Sequence, residues 1–103
     1  MTPLKVVALA QTCPGVGWCR VPCPAQWEGR LEDGRALYIR YRDGCLEIGA
    51  GSNMTEAVDA TIVETVGERL CQEQLGDDLD GWMSFAELVR NTQGFLDLSE
   101  VAP

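Results

Sequence analysis

Asp33-Gly34-Arg35-Ala36-Leu37-Tyr38-Ile39-Arg40-Tyr41-Arg42-Asp43-Gly44 holds the strongest structural signal in the chain. Two Asp-Gly pairs bracket the run Arg35–Arg42. Glycine supplies the positive φ that tight hairpin turns require, so each pair predicts a reversal of the chain. Between them Leu37, Ile39 and Tyr41 fall on one face of a strand, and Ala36, Tyr38, Arg40 and Arg42 on the other. Trp27–Leu31 before the first turn and Cys45–Ile48 after the second complete a three-stranded antiparallel meander. Its core lies on the Leu37/Ile39 side.

Working outward, Leu4–Ala10 is apolar and partly β-branched and predicts a first strand. Residues 12–25 hold Pro14, Pro22, Pro24, Gly15 and Gly17 and predict an irregular loop. Gly49–Asn53 reads as another loop. Residues 54–75 carry two signals. Met54, Val58, Ile62 and Val66 recur every four positions, as in a helix. Thr61–Val66 is β-branched and alternating, and Gly67 interrupts a long helix. The balance predicts strands over 61–66 and 69–75. Ser84-Phe85-Ala86-Glu87 is a capping box that opens a short helix of about eight residues, with Phe85, Leu88 and Val89 inward and Gly94 near its close. Phe95–Leu98 can add a last short strand. The expected fold class is α+β: one domain over residues 1–103, an antiparallel sheet of four to six strands, and one C-terminal helix.

Composition sets the functional classes. The chain has 103 residues, a net charge of −8, 46% apolar and 23% charged residues, the balance of an ordinary globular domain. No run reaches the roughly 18 apolar residues of a spanning helix, so no membrane partner is expected. Lys5 precedes only the short apolar run Val6–Ala10, less than a secretory signal needs. The expected location is the cytoplasm, with Cys13, Cys19, Cys23, Cys45 and Cys71 reduced. Five cysteines are an odd number, which argues against a closed disulfide framework. Residues 1–51 hold six bases and five acids, whereas residues 52–103 hold two bases and eleven acids. That acidic half disfavours direct nucleic-acid binding and favours a basic partner or a cation.

There is no histidine, which removes histidine-based triads and the commonest metal ligand. No phosphate-binding loop is present either. A non-enzymatic protein without a cofactor is expected. The sharpest motif is Gly-Asp-Asp-Leu-Asp-Gly-Trp-Met-Ser-Phe-Ala-Glu over residues 76–87. On an EF-hand loop Asp78, Asp80, Ser84 and Glu87 take positions 3, 5, 9 and 12. Gly76 stands where the first Asp ligand belongs, and no second hand is present. The same residues also read as an acidic turn entering the capping box. Cys13, Cys19 and Cys23 could form part of a zinc site with Cys45 or Cys71, but they lack paired Cys-x2-Cys spacing. Tyr38, Arg40 and Arg42, with Arg30 and Arg35 nearby, could stack and hold nucleic acid. They could equally pair across strands with Glu28, Glu32 and Glu47. Trp82 follows Asp77, Asp78 and Asp80, and tryptophan is enriched where interfaces are anchored. These four residues are the expected partner-binding surface.

Trp27-Glu28-Gly29, Asp33-Gly34-Arg35, Tyr38–Gly44 and Leu46, followed by Gly76-Asp77, Asp80-Gly81 and Glu87-Leu88, form a pattern over residues 25–92. It resembles small uncharacterised accessory proteins of bacteriophages and prophages. The resemblance implies a protein that binds and inhibits a host protein, including nucleic-acid-binding defence enzymes, by presenting carboxylates where phosphates would lie. It carries over no catalytic residue, and the Cys/Pro segment 12–25 stands outside it.

Overall fold

Alternating apolar and polar residues build a six-stranded sheet in a computed structural model that describes residues 3–14, 25–62, 67–76 and 83–101. In chain order the elements are β1 (Leu4–Pro14), β2 (Ala25–Leu31), β3 (Ala36–Arg42), β4 (Cys45–Gly51), α1 (Met54–Ala60), β5 (Glu68–Gln74), α2 (Phe85–Thr92) and β6 (Leu96–Asp97). The sheet order is β5-β4-β3-β2-β1-β6.

The meander forms as expected. β2, β3 and β4 pair antiparallel, with Trp27 opposite Ile39 and Ile39 opposite Ile48. At the second turn Asp43 has φ 55° and Gly44 φ 74°. Two successive positive φ values between the paired ends Arg42 and Cys45 make the two-residue turn whose twist matches the strands. The main core lies on the Leu37/Ile39 face, where Trp27, Leu37, Ile39, Tyr41, Leu46 and Ile48 cluster with Leu88 and Leu96. Burying each aliphatic side chain contributes roughly 1.5 to 3 kcal/mol.

α2 also forms where its capping box lies. Ser84 Oγ accepts a hydrogen bond from the Glu87 backbone N–H at 3.1 Å, and Glu87 Oε1 accepts from the Ser84 N–H at 3.5 Å. Leu88 is buried, with Phe85 and Val89 partly so. β5 and β6 lie at opposite edges of the sheet, and α2, between them in the chain, packs Leu88 into the core cluster.

Four expectations are corrected. First, there are two helices among the described residues. α1 occupies Met54–Ala60, and its buried residues are Ala57 and Ala60. Its apolar series runs outward: Met54 and Val58 are half-buried and Ile62 is 62% exposed. Small residues face the sheet because the backbone there comes close. A Cβ on Gly49 would collide with the Ala57 carbonyl oxygen, and one on Gly51 would lie 2.6 Å from Glu56 Cβ. Second, the expected strand at 61–66 is replaced at its start by a turn at Thr61 and Ile62, while residues 63–66 lie outside the described residues. The strand expected at 69–75 is β5. Third, the sheet is mixed, because β6 joins β1 in parallel, Leu4 opposite Leu96 and Lys5 opposite Asp97. Fourth, β1 continues to Pro14, β2 begins at Ala25 and β4 runs to Gly51, shortening the expected loops. Pro14 sits at the strand end, where a missing N–H is tolerated.

Two outcomes test this frame. Gly44→Val should destabilise the protein by roughly 1 to 3 kcal/mol in urea unfolding, because a β-branched residue resists positive φ. Gly49→Val should cost more than about 2 kcal/mol, since neither the strand nor the α1 backbone can yield freely. Wild-type stability for either variant would place the turn or the helix elsewhere.

Candidate functional site

Asp77, Asp78, Asp80 and Trp82, the expected partner surface, lie outside the described residues, as do Trp18, Cys19 and Cys23. What the structure does give is the placement of the residues that flank this segment. On one side the N–H groups of Leu75 and Gly76 donate to the Gly44 carbonyl at 2.7 and 3.0 Å. On the other, Met83 is buried in the core. Ser84 and Glu87, named above as calcium ligands, are engaged with each other: besides the two capping bonds, Ser84 Oγ lies 3.1 Å from Glu87 Oε1. This is helix-start chemistry.

Cys45 and Cys71 are free thiols, but they do not converge. Cys71 pairs with Ile48, on the core face, and Cys45 pairs with Gln74 next to Arg42 on the other face. Burial pushes the Cys71 thiol up to about 11, with Glu73 and Cys45 adding to the effect. Its Sγ–H donates to the Leu46 carbonyl at 3.7 Å. Burial also raises the Cys45 thiol, with Glu47 adding to it. Among the described residues no three Cys, Asp or Glu side chains form a metal cluster.

The arginine and tyrosine face is engaged within the chain. Tyr38 is buried at 5% exposure, and burial raises its hydroxyl. Arg40 Nη2 donates to both oxygens of Glu47 at 3.1 Å, across the Arg40–Glu47 register. Their side chains are only 13% and 12% exposed. The Arg40 Nε is buried without a hydrogen-bond partner. Arg35 pairs with Asp33 at 2.9 Å and Glu68 at 3.6 Å, and Arg42 with Asp43 at 3.6 Å. The cross-strand Arg40–Glu47 pair is the one expected; Glu28 is not a partner, because the register sets Gln26 opposite Arg40 and Glu28 opposite Tyr38, and Arg35 and Arg42 take Asp33, Glu68 and Asp43 instead of Glu32.

Sequence reasoning missed an acidic cleft at the other pole. The start of β1, the β2–β3 turn and β6 enclose a hollow of about 460 Å³ lined by Leu4, Lys5, Leu31, Glu32 and Asp97, among others. Antiparallel pairing ties Glu32 to Lys5 through a 2.8 Å backbone bond from the Glu32 N–H to the Lys5 carbonyl. Parallel pairing puts Asp97 opposite Lys5. The Lys5 ammonium pairs with Glu100 at 2.9 Å. Glu100 above all, then Glu32 and Asp97, raises the Lys5 amine above its ordinary value. The Asp97 carboxyl is lowered by Ser99, whose N–H it accepts at 3.0 Å. No local motif could have announced this site, since its residues come from three distant segments.

The thiols supply a direct measurement. At pH 8 a group with a pKa of about 11 is thiolate to on the order of a thousandth, and only the thiolate is nucleophilic. Iodoacetamide should modify Cys71 about a hundredfold more slowly in the native protein than in urea, measured by peptide mapping. Equal rates would contradict the buried placement.

Comparison with family models, with curated proteins and with solved structures finds no match to this chain.

Proposed function

We propose that this protein is a small, non-enzymatic acidic binder that occupies the basic surface of a host protein, as phage accessory proteins do. Host enzymes that bind nucleic acid are the favoured targets, because their cationic grooves accept carboxylates in place of phosphates. The observation that carries this reading is the internal matching of charge. Lys5, Arg35, Arg40 and Arg42 are each paired with a carboxylate of the same chain, while the net charge is −8. Four of the eight basic groups are thus neutralised locally, and the surplus of carboxylates has no cation of its own.

The working surface in this reading is the turn of Asp77, Asp78 and Asp80 with Trp82 beside it. Mutual repulsion in such a turn is relieved when a cationic partner arrives. Charge steers the encounter, and a buried aromatic ring holds it. Ser84 and Glu87 are engaged with each other at the helix start.

Immobilised wild type and an Asp77→Lys/Asp78→Lys/Asp80→Lys variant, incubated with bacterial extract, provide the test. Wild type should retain a basic host protein that the variant does not, and retention should fade as salt shortens the Debye length below about 8 Å. The variant should unfold at the wild-type temperature or slightly above. Identical proteins on both columns would remove this turn from the function.

A further inference from the structure

The acidic cleft has an apolar neighbour. A second hollow, of about 340 Å³, is lined by Val89, Leu96 and Leu98 among others. It shares Pro3 and Asp97 with the first, so the two adjoin around β6. β6 is the last strand on that side of the sheet. The first hollow is lined by Leu4 and Leu31 together with the acids Glu32, Asp33 and Asp97. Lys5 is taken by Glu100, and neither Glu32 nor Asp97 forms an ion pair with a described residue.

We propose that this double hollow receives an extended segment of a basic partner protein, with an Arg or Lys side chain in the acidic hollow and an apolar side chain in the second. The inference rests on the reading of the protein as a binder of basic partners, but it assigns the contact to residues other than Asp77–Trp82. Charge complementarity selects the occupant. Glu32 and Asp97 supply two carboxylates that act on Lys5 without forming an ion pair with it, and a long basic side chain can lay its methylenes on Leu4 while its charged end reaches them. An extended chain suits the shape, because alternate side chains point the same way about 6.6 Å apart and can enter adjoining hollows. An acidic or phosphorylated segment would be repelled by the same acids.

Amide chemical-shift titration tests the proposal. The probe is the acetylated, amidated peptide Thr-Thr-Arg-Thr-Leu-Thr, with Thr-Thr-Glu-Thr-Leu-Thr as its counterpart. The arginine peptide should give saturable shifts at Leu4, Lys5, Glu32, Asp33, Asp97 and Ser99. Its affinity should fall about tenfold in Glu32→Gln/Asp97→Asn, which removes two charges and keeps the Ser99 acceptor. Glu32→Gln alone, in an exposed turn, should show part of the loss and guards against misfolding of the double variant. The glutamate peptide should not bind, and the Asp77/Asp78/Asp80→Lys variant should bind the arginine peptide as wild type does. Absence of saturable shifts at the cleft, equal affinity in the double variant, or equal binding of both peptides would overturn the proposal. Shifts confined to the flanks Gly76 and Met83, lost only in the triple-Lys variant, would overturn it while leaving the binder reading standing.

Discussion

The seat of α1 on β4 is the contact on which the second face of the sheet depends. At Gly49 and Gly51 the strand offers no side chains, and the Ala57 carbonyl and the Glu56 Cβ of the helix sit where their Cβ atoms would crowd. Ala57 and Ala60 complete the contact, both fully buried. This closeness lets β5 reach the helix end: Arg69 Nε donates to the Ala60 carbonyl at 3.2 Å and Nη2 to the Thr61 carbonyl at 3.4 Å. A cation at a helix C-terminus satisfies exposed carbonyls and opposes the helix dipole. One sheet edge is therefore tied to a helix that is itself held by the absence of two side chains. Large residues at 49 or 51 would separate α1 from β4 and loosen β5 with it.

The two faces solve different problems. The core face packs large apolar side chains under α2 in the ordinary way. The other face carries Tyr38, Arg40 and Glu47, whose polar atoms need partners once partly withdrawn from water. Arg40 and Glu47 lie directly opposite each other in the register, so their pairing needs no rearrangement of the backbone. Such a pair adds little net stability after desolvation, and here the orphaned Arg40 Nε detracts further. Its effect falls on register: sliding β3 past β4 by one residue would bury Arg40 on the apolar face and leave Glu47 without a cation.

Legibility followed the physics of each element. The hairpin at Asp43-Gly44 and the helix after Ser84 were readable because local residues alone specify them. α1 was obscured because its buried side is alanine while Met54, Val58 and Ile62 face partly outward. Its start was nevertheless written in the sequence. Asn53 accepts from the Glu56 N–H at 2.9 Å, as Ser84 accepts from Glu87, while Glu56 reaches one residue beyond the cap, to the Ser52 N–H at 3.1 Å. β6 was foreseen as a strand but not as a parallel one, since two residues carry no pairing preference. The Lys5, Glu32 and Asp97 cleft was not legible at all: it exists only once β1 lies between β2 and β6.

Gly76, the described residue before the acidic segment, and the cleft acid Glu32 sit at opposite ends of the meander, and this bears on how a partner could engage the protein. Gly76 is bound beside Gly44 at one end of β3, whereas Glu32 and Asp33 precede the other end. β3 has seven residues, which span about 23 Å at the usual rise. At physiological ionic strength charges are screened beyond about 8 Å. Neutralising one pole therefore leaves the potential at the other almost unchanged. A partner that touched only one would feel a fraction of the net charge. In the proposed reading, a partner that answers both ends needs a cationic surface long enough to follow the sheet from turn to turn.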